Sequence, residues 1–160
     1  MTWQEILEDP DVARLEYRVE SDRWGNLVMS PPPSSWHGDV QSEITTLLGR
    51  LLPHGRSTTE CPIQTSEGVR ACDVAWASRA RRNSTNRKPV FTVAPEICVE
   101  IQSPSNSLPQ IMERKDWFFA TGAIEFWYCD PYGGMHFYDA DGPLEQSVLC
   151  PVFPATITVD

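Results

Sequence analysis

Two carboxylates stand inside apolar segments of the sequence, where a charged side chain is expensive to bury. Asp73 lies in "ACDVAWAS" (71–78), and Glu100 lies in "APEICVEIQ" (94–102). Both segments have the apolar pattern of strands, and an unpaired carboxylate there carries a large desolvation cost. A divalent cation is a suitable partner, because magnesium prefers hard oxygen ligands and uses few protein carboxylates. If the two segments pair, Asp73 and Glu100 can point to one face at one end of a sheet.

Gln102 follows Glu100 by two residues, and the alternation of a strand predicts that both side chains lie on one face. We expect the Glu100 carboxylate to bind metal while Gln102 holds a water or a phosphate oxygen. The sequence "SPSN" (103–106) then turns the chain away, which would leave the metal position open.

The helix predicted after this turn carries two cations, Arg114 and Lys115. At about 100° per residue, Lys115 lies at the centre of an apolar stripe and Arg114 on its flank. The stripe consists of Ile111, Met112, Phe118 and Phe119. A cation buried beside Asp73 and Glu100 would form a structural ion pair, or would stabilise charge on an attacking water and a phosphate. The residue pattern leaves both interpretations open.

Composition predicts one ordinary globular domain over 1–160. The chain has 160 residues, 41% of them hydrophobic, and no apolar run approaches the roughly 20 residues of a membrane span. The N-terminus, "MTWQEILEDPD", is acidic and unlike a signal peptide, so we expect a cytoplasmic protein. Five cysteines without a CxxC pair predict reduced, buried thiols, and three scattered histidines argue against a structural zinc site.

Charge is unevenly distributed along the chain. The net charge of −9 is unusual for a nucleic-acid-binding protein, which normally carries a basic surplus. The stretch "SRARRNSTNRK" (78–88), however, holds five of the 13 basic residues and no acid. It has two interpretations, a solvated loop or an arm that contacts phosphate.

Hydrophobic periodicity and turn residues predict the element order α-ββ-α-β-β-β-α-β-β. Thr2 with Glu5 and Ser107 with Gln110 form capping patterns, and Ser34 or Ser35 can cap a long helix that runs to about Leu52. The remaining predicted features are an early hairpin (15–20 and 25–30), strands at 57–66, 71–78 and 94–102, a helix ending near Thr121, a late hairpin across "PYGG", and an edge strand in "VLCPVFPATITVD". This order indicates an α/β or α+β domain with a mixed sheet and two main helices.

The arrangement Asp73…Glu100-Ile101-Gln102 resembles the PD…(D/E)xK signature of the restriction-endonuclease-like nucleases. Four longer segments, in the same order and spread over nearly the whole chain, resemble one family of that superfamily, the Uma-type restriction endonucleases. They are "GNLVMSPPPSSWHGDV", "GVRACDVAWAS", "APEICVEIQSPSNS" and "GAIEFWYCDP". The resemblance implies a restriction-endonuclease-like fold with a mixed central sheet flanked by two main helices.

The implied activity is hydrolysis of phosphodiester bonds in DNA with Mg²⁺ or Mn²⁺. Asp73 and Glu100 would be metal ligands, joined by the backbone carbonyl of Ile101. Gln102 stands where the motif usually has lysine, and the basic residue seems to move to the next helix. Spacing to Phe118 and Gly122 favours Arg114 for that role, whereas helical phase favours Lys115.

Further departures from the family pattern affect the surroundings of the site. Cys72 replaces a proline that is not a ligand, and Tyr17-Arg18 replaces a Tyr-Glu pair. Glu16, Glu20 or Glu43 could supply the missing acid, and His37 either reaches the site or only begins the long helix. The alternative function is a catalytically inactive nucleic-acid-binding or scaffold module. A homodimer is also possible, with an apolar surface supplied by "AIEFWYCD" and "MHFYD".

Overall fold

A six-stranded mixed sheet organises the chain. The structure is a computed structural model that describes residues 1–14, 18–104 and 106–160. The strand order is β3-β4-β5-β6-β7-β8, and β1 and β2 form a separate antiparallel pair. The strands are β1 Arg18–Ser21, β2 Leu27–Ser30, β3 Gly55–Thr65, β4 Gly68–Ser78, β5 Ile97–Ile101, β6 Glu125–Cys129, β7 Met135–Asp139 and β8 Gly142–Leu144. The helices are α1 Trp3–Glu8, α2 Ser35–Leu51, α3 Arg79–Thr85 and α4 Leu108–Ala120, with a short 3-10 helix at Val12–Arg14.

The pairing of β4 with β5 brings the two acid-bearing segments together. These strands are antiparallel, with Val74 opposite Val99 and Trp76 opposite Ile97. Strand β5 then pairs in parallel with β6, and α4 connects the two. The predicted mixed sheet is therefore confirmed, and the condition that the two acid-bearing segments pair is met.

Alternating residues of the central strands feed two hydrophobic cores, one on each face of the sheet. Val74 and Val99 pack with Ile44 and Leu48 of α2 on one face. On the other face, Ala75 and Cys98 pack in the core that contains Phe118 of α4. Each of the two main helices therefore covers one face of the sheet, in agreement with the predicted sheet flanked by two main helices.

Side-chain caps set the starts of the helices. Thr2 and Glu5 form the predicted capping box of α1, and Ser107 and Gln110 form that of α4. Ser34 caps α2 by accepting a hydrogen bond from the His37 backbone N–H at 3.2 Å. This cap begins α2 immediately after the proline run and fixes its first turn.

Two predicted elements differ from the structure. The basic stretch 78–88 is not a loop throughout, because α3 begins within it under a cap from Ser78 Oγ to the Arg81 N–H at 3.2 Å. A polar helix of seven residues lacks the apolar stripe by which helices are recognised. The C-terminal segment forms no named strand; β8 is the edge strand beside β7. Two prolines, Pro151 and Pro154, explain this difference, since proline cannot donate to a strand ladder.

The segments suggested for a dimer surface lie mostly inside the fold. All five residues of β6 are buried, and β7 is paired on both sides. These strands therefore supply no continuous exposed apolar surface. All five cysteines are free and buried, as predicted. Of the helices described, none is long and apolar enough to cross a bilayer.

Candidate active site

A cavity of about 570 Å³ opens where β4, β5, the β1–β2 pair and the N-terminal parts of α2 and α4 meet. Its walls include an unusual number of charged side chains for an interior surface. They are Arg18, Glu20, His37, Glu60, Arg70, Asp73, Glu100 and Arg114. Most of them are buried or half-buried, so their charges act on one another through a medium that screens weakly.

Asp73 is held in place by three contacts. It is 1% exposed, its Oδ1 lies 2.9 Å from Arg18 Nη1, and its Oδ2 accepts a hydrogen bond from the Ile101 N–H at 2.7 Å. His37 Nε2 lies 3.4 Å from the same Oδ2. Burial acts to raise the pKa of Asp73, but the contacts with His37 and Arg18 outweigh it and hold that pKa well below its usual range. Asp73 is therefore ionised throughout the neutral range.

The pKa of Glu100 is shifted in the opposite direction from that of Asp73. It is 1% exposed, and its Oε1 lies 2.8 Å from Arg114 Nε. Burial raises the pKa of Glu100; the charge of Arg114 lowers it, and the nearby charge of Asp73 raises it again. The net result is a pKa well above the usual value of a glutamate. Two adjacent carboxylates with opposed pKa shifts are a recurrent feature of active sites.

Arg114 connects the sheet, α4 and the β1–β2 pair. Besides Glu100, its Nη2 lies 3.0 Å from Glu20 Oε2 and donates to the Ala71 carbonyl at 2.7 Å. Glu20 Oε2 in turn accepts from the Ala71 N–H at 2.7 Å. Through these bonds, Glu20 of β1 and Glu100 of β5 share one guanidinium.

Lys115 does not reach this cluster. Its Nζ lies 3.2 Å from Asp116 Oδ1 and within 6.0 Å of the ring centres of Phe119 and Tyr138. Adjacent helical residues are separated by about 100°, so when Arg114 faces Glu100 the neighbouring lysine faces elsewhere. The structure thus brings Arg114, the residue chosen by spacing, to the acids, and not Lys115, the residue chosen by helical phase.

Glu100 lies within β5 and lines the cavity, whereas Gln102 lies just beyond the end of the strand and does not. Strand β5 stops at Ile101, which is buried and lines the cavity. Gln102 is half-buried, and its backbone N–H donates to the Cys129 carbonyl at 2.9 Å. Its side chain is not part of the cavity wall, because strand alternation no longer applies beyond Ile101.

The structure shows which of Glu16, Glu20 and Glu43 could supply the acid expected near Arg18, and whether His37 reaches the site. Glu20 and His37 both line the cavity, whereas Glu43 is exposed on α2. Glu16 and Tyr17 lie outside the described residues, as does Ser105 of the turn after β5.

Two cavity residues have roles that the sequence did not indicate. Arg18, where the family resemblance predicted an acid, pairs with both Asp73 and Glu60, its Nε lying 3.0 Å from Glu60 Oε2. Glu60 lies between Thr59 and Cys61, which pair with Val74 and Cys72 in the β3–β4 register, and it has a φ of 48°. Positive φ in a non-glycine strand residue is costly, and at Glu60 it accompanies the ion pair with Arg18. No sequence pattern distinguishes Glu60 from an exposed acid on an edge strand.

The donor chemistry of the cavity fits a divalent cation. Four carboxylates, those of Glu20, Glu60, Asp73 and Glu100, surround the two central guanidinium groups of Arg18 and Arg114. Burial raises the pKa of Glu60 as well as that of Glu100, so a positive charge placed beside these carboxylates would favour their ionised forms.

A divalent cation would supply such a positive charge. Among the described residues, no three His, Cys, Asp or Glu side chains form a preassembled metal site. Magnesium commonly binds through one or two carboxylates and several waters, which Asp73 and Glu100 satisfy. The Ile101 backbone adjoins Asp73, because its N–H donates to Asp73 Oδ2 at 2.7 Å.

Comparisons with known proteins identify the family and the fold. A family model described as "Uma2: Putative restriction endonuclease" matches residues 3–141. Among solved structures, the fold is similar to that of a protein titled a putative nuclease belonging to DUF820 from Anabaena variabilis ATCC 29413. The TM-score is 0.70 at 21% sequence identity, and the alignment covers 87% of this chain and 79% of the other. No match was found among curated proteins.

Proposed function

Because this chain belongs to the Uma2 family of restriction-endonuclease-like proteins, we propose that it is a metal-dependent nuclease that hydrolyses phosphodiester bonds in DNA. The observation that carries the proposal is the pair formed by Asp73 and Glu100. Both acids are 1% exposed, they have opposed pKa shifts, and they line one open cavity. A structural ion pair would need no such opening to solvent.

Asp73, Glu100 and the carbonyl of Ile101 are the proposed ligands of Mg²⁺ or Mn²⁺. A bound divalent ion would polarise the phosphoryl oxygens and lower the pKa of a coordinated water. Asp73 contributes a carboxylate that stays ionised, whereas Glu100 would release its proton as the cation replaces it. Binding should therefore be accompanied by proton release.

Arg114 is the proposed stabiliser of negative charge on the phosphate. An arginine does not lose its proton at physiological pH, so it acts by charge and hydrogen bonding and cannot serve as a general base. Its present partners, Glu20 and Glu100, hold it at the cavity wall. His37 has a buried Nδ1 without a hydrogen-bond partner in the described part of the chain. Because its Nε2 lies 3.4 Å from Asp73 Oδ2, we propose that His37 orients the Asp73 carboxylate.

A second candidate function is DNA binding without cleavage. It is favoured by one observation, the ion pair between Arg18 and Asp73, which occupies Oδ1 of a proposed metal ligand. In this alternative the guanidinium permanently replaces the metal. The two functions differ in whether Arg18 can be displaced by a divalent ion.

Cleavage of supercoiled plasmid in Mg²⁺ or Mn²⁺ tests the proposal. We expect wild type to nick or linearise the plasmid and Asp73→Asn and Glu100→Gln to reduce the rate by at least about 100-fold. Lys115→Gln is the matched control and should retain the wild-type rate. Folded wild type that binds DNA but cuts neither plasmid nor single-stranded DNA would establish the second candidate instead.

We also propose that the protein is cytoplasmic and acts as a homodimer on duplex DNA. Five free, buried thiols suit a reducing compartment. A pair of sites is one way to cut both strands of a duplex, and sedimentation of the protein with and without DNA would measure its oligomeric state. A monomer under both conditions would contradict the dimer.

A further inference from the structure

A second cavity, of about 340 Å³, lies at the opposite end of α2 from the candidate active site. Arg56, Arg79 and Arg82 line it together with His54 and Asn83, and its wall contains no carboxylate. We call it the basic cavity. The active-site cavity adjoins the start of α2 at Ser34 and His37, whereas the basic cavity adjoins the chain just after the end of α2.

Charge around the basic cavity is opposite to that of the rest of the molecule. Residues 50–59 and 78–95 contain seven of the 13 basic residues and no acid. The remainder of the chain therefore carries six basic residues against 22 acidic ones. Such separation is what a protein of net charge −9 needs if it is to attract a polyanion at one surface.

Most of these cations have no intramolecular function. Arg81 and Arg82 are exceptions. Arg81 donates to the carbonyls of Ala94 and Gly122, its Nε lies 3.7 Å from Glu96 Oε1, and it holds α3 against the sheet. Arg82 donates to Thr58 Oγ1 at 3.0 Å. Arg56 and Arg79 are exposed and, within the described residues, their side chains make no ion pair or hydrogen bond. Their guanidinium groups are free to bind an external acceptor.

The walls of the basic cavity are rigid. The Arg79 backbone N–H donates to the His54 carbonyl at 3.3 Å. The His54 ring packs edge-on against Trp76 at 4.8 Å between ring centres, and Trp76 Nε1 donates to the Leu52 carbonyl at 3.1 Å. The arginines therefore stand on a fixed frame, which reduces the entropy lost when a ligand binds.

We infer that the basic cavity binds phosphates of the nucleic acid that the active site acts on. This inference rests on the proposed function. Asp73 and Ser78 are five residues apart in β4, which separates the two regions by roughly 17 Å at about 3.4 Å per residue. One DNA strand covers that distance in about five nucleotides, at roughly 3.4 Å per step. Paired donors of arginine match phosphate oxygens geometrically.

The test is binding of fluorescein-labelled 20-base-pair duplex and 20-nucleotide single-stranded DNA, measured by anisotropy in EDTA over a series of NaCl concentrations. The variant is Arg56→Gln/Arg79→Gln. The matched control is Arg14→Gln/Arg23→Gln, which removes the same charge from the N-terminal part of the chain, outside the basic cavity. We expect only the first variant to bind several-fold more weakly and to lower the salt slope for the duplex by about 2.

Equal effects of the two double variants, or no effect of either, would overturn the inference. So would competition by poly-glutamate as effective as that of unlabelled DNA at equal charge, because the surface would then prefer an acidic polypeptide. Binding in EDTA is independent of cleavage. If Arg56→Gln/Arg79→Gln loses binding and the wild type cuts no DNA, the proposed activity is contradicted. The inference that the basic cavity binds phosphates would still hold.

Discussion

Arg114 is the cation on which the candidate active site depends. Replacing it with Gln leaves Glu20 and Glu100 buried without their shared charge partner. Breaking a buried ion pair in this way costs about 3–5 kcal/mol. We expect Arg114→Gln to lower the free energy of unfolding by that amount in urea titrations in EDTA, and to abolish plasmid cleavage.

Lys115→Gln is the control for this change, because Lys115 contacts exposed Asp116 and the edge of the aromatic core. Its effect should stay within about 0.5 kcal/mol. A larger loss of stability from Lys115→Gln than from Arg114→Gln would contradict the arrangement described here.

The raised pKa of Glu100 predicts a specific pH dependence of stability. Its folded-state pKa lies above the usual value of 4.5, so its contribution to stability is complete below pH 4.5 and is lost as pH rises toward the folded pKa. Glutamine resembles the protonated acid and does not titrate. The stability of Glu100→Gln relative to wild type should therefore increase by up to about 1.4 kcal/mol per pH unit above pH 4.5.

Urea unfolding of both proteins in EDTA at pH 4.5, 6, 7.5 and 9 measures this difference. The slope of the difference with pH is the informative quantity, because Glu100 titrates and glutamine does not. A flat difference, or one that favours wild type more as pH rises, would show that Glu100 is ionised in the folded protein.

At the scale of elements, the β1–β2 pair must dock closely on the β3–β4 turn to deliver Glu20. Gly68 has a φ of +99°, and a Cβ there would lie 2.1 Å from the Ser21 carbonyl oxygen. Ser21 Oγ also accepts from the Val69 N–H at 3.0 Å. We expect Gly68→Ala to destabilise the protein by about 2–4 kcal/mol and to reduce cleavage through displacement of Glu20.

Gly49→Ala is the matched control in α2. Nothing lies within 4 Å of the added Cβ, and alanine is the better helix former. We expect it to stabilise the protein by about 0.5–1 kcal/mol, read from thermal or urea unfolding. Equal destabilisation by both substitutions would show that Gly68 has no special contact with Ser21.

The elements that the sequence predicted well are those with strong local signals. Ser107 with Gln110, and the apolar spacing of Ile44 and Leu48, each act within one or two turns of a helix. Strand pairing of Asp73 and Glu100 was also predictable, since adjacent strands often pair. α3 was not predicted, because its seven residues, of which only Ala80 is apolar, show no apolar stripe.

The surroundings of the acids were harder to predict. Arg18 is 55 residues from Asp73, and Glu20 is 94 residues from Arg114. Contacts over such separations depend on how the β1–β2 pair docks, which no short pattern encodes. The preference for Lys115, which came from helical phase, differs from the structure for a related reason. The apolar stripe defines the face of α4 that packs on the core, but the acids lie beside that face.

At the scale of the whole molecule, one sheet serves two hydrophobic cores. Val74 belongs to one core and its neighbour Ala75 to the other. We therefore propose that residues 1–160 form a single domain that unfolds cooperatively. Unfolding curves from far-ultraviolet circular dichroism and tryptophan fluorescence should coincide. Two separate transitions would divide the chain into independent units.

The two cavities give the molecule a charge polarity along α2. Acids dominate the surface as a whole, the active-site cavity holds four carboxylates against two central arginines, and the basic cavity contains arginine without carboxylate. An acidic protein can thus take a polyanion as substrate if the metal neutralises one end and the basic cavity binds the other.

Calorimetric titration of Mn²⁺ into the protein at neutral pH tests the central claim most directly. We expect about one bound ion per wild-type chain, and no binding at millimolar metal for Asp73→Asn or Glu100→Gln. Glu43→Gln, which removes an exposed acid from α2, should bind as wild type does. If wild type binds no metal, or if Glu100→Gln binds it equally well, Asp73 and Glu100 are not metal ligands and the catalytic proposal is wrong.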